Sequence, residues 1–376
     1  MKRKICIFCE IWESGGIESV ICGALSHMDL SGLSVDIVAA KLGESVFRAP
    51  LEAKGVRFIP LSGSTRRVAA NHRMFRDLLR REKYDVLHMN IYHALSLYYA
   101  RIASELGVPV RIAHAHTSGL RKSPTLALKL LINRVSRKRF TRYATALWAC
   151  SEASAGFIFD GKALRERGYE FIPNGVELDS FAFDPAARER VRAELGLEGR
   201  FVIGNVGRLC RQKNQEFLID VFAQLSQRSP ESALLLVGAD ENRKSFLERR
   251  AAGYGLLDRV VFYGLSDRVS ELLQAMDVFV FPSLFEGLGL APIEAQASGL
   301  PVVCSDGEPR EVAITEDIEF HSLGEPLSAW ADAIMQHRGA ERHEARYVEQ
   351  RMDFDVENTA GIFYRAYTAK GEAEDD

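Results

Sequence analysis

Short apolar runs that do not alternate with polar residues recur along this chain, and they constrain its fold more than any other feature. Asp277-Val-Phe-Val-Phe-Pro282 is one of them. A strand with one wet face alternates, whereas a strand covered on both faces has no need to. Similar runs lie at residues 5–9, 35–39, 56–59, 85–89, 110–115 and 146–150, with helical segments between them. One such segment, 17–28, puts Ile17, Val20, Ile21, Ala24, Leu25 and Met28 on one face. Pro173-Asn-Gly175 then marks a turn, and Asp184-Pro185 opens a charged helix. A second series follows at 201–206, 233–237, 259–263, 278–281 and 301–304. Strands alternating with helices give a parallel sheet covered on both faces, and two series give two such sheets. The expected architecture is α/β, with two doubly wound Rossmann-like domains. The expected bounds are 1–172, 173–355, and a terminal segment 356–376 made of a helix and a flexible tail.

The chain has 376 residues, enough for two domains of ordinary size. No apolar run reaches the ~20 residues that span a bilayer. The basic start is followed by only five apolar residues (5–9), too short for a signal segment, so the expected location is cytoplasmic. Cys6 and Cys9 have C-x-x-C spacing, but in a strand they point to opposite faces, which disfavours a redox pair or a zinc site. The net charge of −3 hides an asymmetry. Residues 1–170 hold 27 Lys and Arg against 15 Asp and Glu, so the first half is expected to meet something anionic. The G-x-G-x-x-G dinucleotide fingerprint is absent.

The stretch from Phe281 to Cys304 carries the chemistry. After the buried strand the chain turns through Gly287 and Gly289 into a short helix, with Pro292 tolerable only in its first turn and Gly299 closing it. Glu286 lies on the turn, and Glu294 is read as facing out near the helix start. Free amides and the helix dipole point at one spot, which makes an anion site. A carboxylate on each side suits a ligand with a charged middle and hydroxyls at both ends. A nucleotide sugar has that shape.

Three stretches, in order, resemble the retaining GT-B glycosyltransferases of family 4. They are Asn205-Val-Gly-Arg-Leu-Cys-Arg-Gln-Lys-Asn214, Phe281-Pro-Ser through Glu286-x7-Glu294, and Gly299-Leu-Pro-Val. Gly15-Gly16-Ile-Glu-Ser, Ile172-Pro-Asn-Gly-Val176 and Ser305-Asp-Gly-Glu-Pro-Arg-Glu311 resemble members that build exopolysaccharide and capsule. The resemblance implies two domains facing across a cleft, with the C-terminal helix crossing back onto the first. It also implies transfer by front-face attack, in which the leaving phosphate takes the acceptor's proton and no general base is needed.

On this reading Arg208 and Lys213 clamp the donor diphosphate through charge-assisted hydrogen bonds, each worth about 1.5–3 kcal/mol. Glu294 accepts from ribose hydroxyls and Glu286 from hexose hydroxyls. The amides of Gly287, Leu288, Gly289 and Leu290 reach phosphate or sugar, and Leu265 lies where the base is cupped. Gly15 and Gly16 let backbone approach the diphosphate or acceptor, though a plain tight turn uses the same glycines. His116, in Arg111-Ile-Ala-His-Ala-His116, matches the family's sugar-positioning histidine. His114 is read as pointing to the opposite side and is the fallback, with His88 and His93 behind it. A satisfied core histidine is the competing explanation for all four.

Asp353-Phe-Asp355 has D-x-D spacing, but it precedes the last helix, where aspartates cap. No cofactor or divalent metal is expected, because Arg208 and Lys213 supply the positive charge. Residues 120–142 interleave Arg121, Lys122, Lys129, Arg134, Arg137, Lys138, Arg139 and Arg142 with leucines, and Arg66, Arg67, Arg73, Arg76, Arg80, Arg81 and Lys83 add to the same half. Such a stretch suits an anionic membrane face, although a helix packing its apolar stripe on the sheet has the same pattern. No aromatic-rich basic platform accompanies it, so nucleic acid is not an expected partner. The expected activity is hexose or N-acetylhexosamine transfer from a UDP-sugar to a lipid-linked saccharide in surface polysaccharide assembly, by a protein peripheral to the inner face of the cell membrane. The alternatives are a GT-B transferase with a soluble acceptor, and a non-catalytic nucleotide-sugar-binding protein.

Overall fold

A computed structural model describes residues 2–120, 123–348 and 353–369. The chain divides into two compact units, one made of Met1–Val176 with Asp353–Asp376 and the other of Glu177–Met352.

Among the described residues the first unit is built on seven strands: β1 (Arg3–Trp12), β2 (Leu33–Leu42), β3 (Arg57–Pro60), β4 (Val86–Ile91), β5 (Val110–Ala115), β6 (Ala146–Ala149) and β7 (Glu170–Phe171). They form one parallel sheet in the order β3-β2-β1-β4-β5-β6-β7, with Ile5 opposite both Val35 and Val86. The unbroken apolar character of β1 follows from its two covers. Cys6 and Phe8 enter a core with Phe75, Leu78 and Tyr99, while Ile5, Ile7 and Cys9 enter the other with Ile21 and Ala24. The C-x-x-C pair is therefore split between two cores, as its spacing requires.

The helix Val356–Thr368 belongs to this unit although it comes last in sequence. Asp355 caps it by accepting from the Glu357 amide at 2.8 Å, which is the capping role expected for that D-x-D run. Phe363 and Tyr367 are fully buried in the core of β1, each worth roughly 2–3 kcal/mol in removed apolar area. The helix is also tied to the end of the unit's main segment. Val176 donates its amide to the Phe354 carbonyl at 2.9 Å and accepts from the Val356 amide at 3.1 Å, and Thr359 Oγ1 donates to the Pro173 carbonyl at 3.1 Å. Gly175 is required there, because a Cβ would stand 2.6 Å from Thr359 Oγ1 and 2.9 Å from Val356 Cα.

The second unit carries β8 (Val202–Val206), β9 (Ala233–Val237), β10 (Val260–Gly264), β11 (Val278–Phe281), β12 (Val302–Ser305) and β13 (Ile318–His321). They too form one parallel sheet, ordered β10-β9-β8-β11-β12-β13. The chain order reverses between β8 and β11, and the loops that leave those two strands hold the expected site residues. A parallel sheet binds ligands at such a point, outside the carboxyl ends of its strands.

Candidate functional sites

In the second unit the expected donor residues come together. The loop after β8 carries Arg208 and Lys213, and the loop after β11 carries Glu286. Lys213 Nζ donates to Glu286 Oε1 at 2.8 Å and lies 4.5 Å from the centre of the Phe281 ring. Both partners are largely shielded, at 15% and 10% side-chain exposure, so the pair is held in a poor solvent for charge. The two loops are stitched to each other. Leu284 donates its amide to the Gln212 carbonyl at 2.8 Å, and Gln212 Nε2 donates to the Phe285 carbonyl at 3.0 Å. Asn214 Nδ2 donates to the Pro282 carbonyl at 3.1 Å. The lysine is thus fixed by neighbours on both sides.

The floor of this cluster needs glycine. Gly238 has φ +144°, and a Cβ on it would stand 2.2 Å from the Gly207 carbonyl oxygen. The ends of β8 and β9 touch only because that atom is missing. The Lys213 side chain lies along Gly207, at 3.3 Å from where a Cβ would be.

The helix Leu290–Ala297 follows, with Gly289 at its N-cap and Pro292 in its first turn, as expected. The reading of Glu294 as facing out does not hold: the residue is half-buried and its carboxyl is enclosed. Burial raises its pKa to about 7, with Lys213 pulling the other way. A third acid, Glu308, was not anticipated. It is 3% exposed, and its Oε1 accepts the Gly289 amide at 2.6 Å. Its Oε2 is buried with no hydrogen-bond partner among the described residues. Burial, then the nearby Glu286 carboxylate, pushes its pKa well above the ordinary range and so favours the protonated acid there. The signal in the sequence was an acid in the tight Gly307-Glu-Pro309 turn straight after an apolar strand. Arg208, on the same loop as Lys213, is 44% exposed and pairs with Glu241. Leu265 is 63% exposed, one residue beyond the end of β10.

In the first unit the expected histidine lies in an uncharged column. His116 follows β5, and its Nε2 bonds Asn90 Oδ1 at 2.9 Å. That oxygen only accepts, because Asn90 Nδ2 donates to the Phe8 carbonyl. His116 therefore carries its proton on Nε2 and offers Nδ1 as an acceptor. The reading of His114 as pointing the opposite way is overturned. Alternate residues of a strand share a face, and the His114 and His116 rings are 3.9 Å apart between centres. His114 Nδ1 meets His88 Nε2 at 3.2 Å, and His88 Nδ1 meets the Tyr367 hydroxyl at 2.7 Å. Burial lowers His116 and His88 to about 3 and His114 well below its ordinary value, so all three are neutral at pH 7. His93 is separate from this column and pairs with Glu10. Gly15 is the N-cap of the helix Gly16–Ser26, and a Cβ there would meet Glu18 Oε2 at 2.7 Å.

Comparison with known proteins agrees with this division. Residues 187–337 match the family described as glycosyl transferases group 1, and residues 14–180 match Glycosyltransferase Family 4. The crystal structure of Anabaena Alr3699/HepE in complex with UDP and glucose superposes with a TM-score of 0.73 at 21% identity, covering 96% of this chain and 95% of that one. The chain is a GT-B glycosyltransferase. Among curated relatives, this transferase is 28% identical over 373 residues to the glycosyltransferase designated EpsF of Bacillus subtilis (strain 168), covering 96% of this chain and 95% of EpsF. It is 30% identical over 236 residues to the UDP-Gal:alpha-D-GlcNAc-diphosphoundecaprenol alpha-1,3-galactosyltransferase of Escherichia coli, covering 61% of this chain and 59% of that one.

Proposed function

We propose that this transferase moves a hexose or N-acetylhexosamine from a UDP-sugar to a lipid-linked saccharide, with retention at the anomeric carbon, in the assembly of a surface polysaccharide. The observation that carries the donor half is the shielded Lys213–Glu286 pair at the β8/β11 reversal, with Glu294 on the next helix. A diphosphate arriving there takes Lys213 as its counter-ion and frees Glu286 to accept sugar hydroxyls. Arg208 adds a second cation and Glu294 accepts from the ribose. Neutral His116 accepts a sugar hydroxyl through Nδ1 and orients the ring. The leaving phosphate takes the acceptor's proton. Lys213 and Arg208 stabilise the departing charge, a role usually worth 10²–10³ in rate per donor, so no divalent ion enters the step. The names of the relatives support this reading, one being a galactosyltransferase acting on a diphosphoundecaprenol-linked sugar and one structural neighbour holding UDP and glucose.

The same reading places the protein on the inner face of the cell membrane. The helix Leu126–Phe140 exposes Leu128, Leu131 and Val135 at 57%, 57% and 54%, beside the exposed cations Arg134, Lys138 and Arg139. A basic helix with uncovered leucines suits an anionic bilayer surface, at about 1 kcal/mol per nearby cation. Arg121 and Lys122, part of that basic stretch, lie outside the described residues. Among the described residues no helix is long and apolar enough to cross a membrane.

The deciding experiment replaces Glu294 and Lys213 separately with Ala and follows sugar transfer from radiolabelled UDP-sugars in the presence of EDTA. Each variant should lose transfer while melting as a folded protein. Retained transfer in both overturns the donor assignment, and an inverted product anomer seen by NMR overturns retention.

A further inference from the structure

The Glu10–His93 pair takes no part in the chemistry above, and a cavity opens beside it. His93 follows β4, and its Nε2 lies 3.1 Å from Glu10 Oε1. Ser96 Oγ donates to the same oxygen and holds the carboxylate from the other side. Burial alone would lower the His93 pKa, but the Glu10 carboxylate outweighs it and raises the group above its ordinary value. In front of the imidazole lies a cavity of about 180 Å³ lined by His93, Leu95, Leu120, Lys129, Ile132 and Asn133.

The lining defines what fits. Asn133 is already used at both ends, accepting from the Ala94 amide at 2.7 Å and donating to the Phe157 carbonyl at 2.9 Å. It is a wall and not a ligand group. The remaining polar lining is His93 and Lys129, both of one sign when charged, and the rest is leucine and isoleucine. The apolar part of the lining offers a saccharide or a base no partner for its hydroxyls or ring nitrogens. An anion with a hydrocarbon directly behind it leaves nothing unpaired. A carboxylate-backed histidine with a lysine is a suitable grip for a phosphate. The cavity is too small for the paired acyl chains of a glycerophospholipid and takes a single chain. That chain would leave past Ile132, along the helix that exposes Leu128 and Leu131.

We propose that this cavity is a binding site for the phosphate-proximal end of a single-chain lipid phosphate, of the prenyl phosphate class. His93 and Lys129 hold the phosphate, and Leu95, Leu120 and Ile132 hold the first carbons of the chain. The inference deepens the lipid-linked acceptor reading and rests on it.

Calorimetric titration of the full chain with farnesyl phosphate, below its micellar concentration, tests the site. Farnesyl phosphate should bind the wild type. Ile132→Trp, which fills the cavity from a half-exposed helix position, should weaken it at least tenfold, and so should Lys129→Gln. Melting temperatures establish that each variant is folded. Inorganic phosphate and dihexanoyl phosphatidylglycerol should bind at least tenfold more weakly than farnesyl phosphate. Undiminished binding by Ile132→Trp, or equal binding of either control, overturns the site. Transfer assays separate this failure from that of the wider reading. If Ile132→Trp transfers to a prenyl-diphosphate-linked sugar as the wild type does, the cavity assignment falls and the acceptor class stands. If the wild type transfers only to soluble acceptors, both fall.

Discussion

The two units share a sheet architecture and yet handle charge in opposite ways. The second gathers Lys213, Glu286, Glu294 and Glu308 around the ends of β8 and β11, with one short ion pair and one buried acid whose pKa is pushed up. The first gathers His88, His114 and His116 and keeps every one of them uncharged. Under the proposed function, the difference matches a division of labour in sugar transfer. Charge develops on the departing phosphates, where a preset cation helps. A sugar ring is neutral, and a neutral acceptor can hold it without desolvating an ion. A cation in the histidine column would have to be buried at a cost the column avoids.

Three changes probe the contrast. The largest effect is expected from Phe363→Ala, which empties a fully buried ring position against His88 and Trp148. It should cost about 3–5 kcal/mol. Calorimetry should show the loss in the first unit's transition and not the second's, and an equal shift of both would mean that the units do not respond separately. Next comes Glu294→Gln. The folded-state pKa of about 7 lies above the ordinary 4.5, so the folded chain keeps this proton where the unfolded chain has lost it. Stability is therefore lost as pH rises from about 4.5 to about 7, by about 3 kcal/mol at most. The glutamine variant should flatten that part of the urea-unfolding curve against pH. Some slope should remain, because Glu308 acts in the same direction. An unchanged slope would show that Glu294 ionises normally. The smallest effect is that of Asn90→Asp, which places an anion against His116 Nε2 and brings charge into the neutral column. It should lower kcat by about tenfold, or 1.4 kcal/mol, and add a histidine ionisation to the pH–rate profile. A profile like that of the wild type would remove the case for a neutral His116.

Much of this was legible in the residues, for reasons that can be named. Central strands such as β1 and β11 are covered on both faces, so their apolar runs are continuous and easily seen. The strands that were missed, β7 and β13, are outermost in their sheets. Glu170–Phe171 is two residues long, and Ile318–His321 is only half-buried throughout, so neither leaves a run to find. Lys213 and Glu286 lie 73 positions apart, and the spacing of the motif predicted a common ligand rather than the direct pair observed. The burial of Glu294 and Glu308 depends on how the β8, β11 and β12 loops stack, which no local pattern encodes. The period of the strand already puts His114 and His116 on one face, so that half of the column was readable and was misread; only its far end, Tyr367, 279 residues from His88, lay beyond any local pattern. The tail from 371 to 376, read as flexible, lies outside the described residues.

The placement of the helix Val356–Thr368 carries a consequence for biogenesis. Synthesis proceeds from the N-terminus, and domains generally begin to fold in that order. Here the earlier unit lacks two of its largest core rings, Phe363 and Tyr367, until the intervening second unit has been made and residues 356–368 have left the ribosome. The later unit has all its strands well before then. The half that is made first is thus the half that matures last, and until then the nascent chain carries an open hydrophobic seam that chaperones would be drawn to shield.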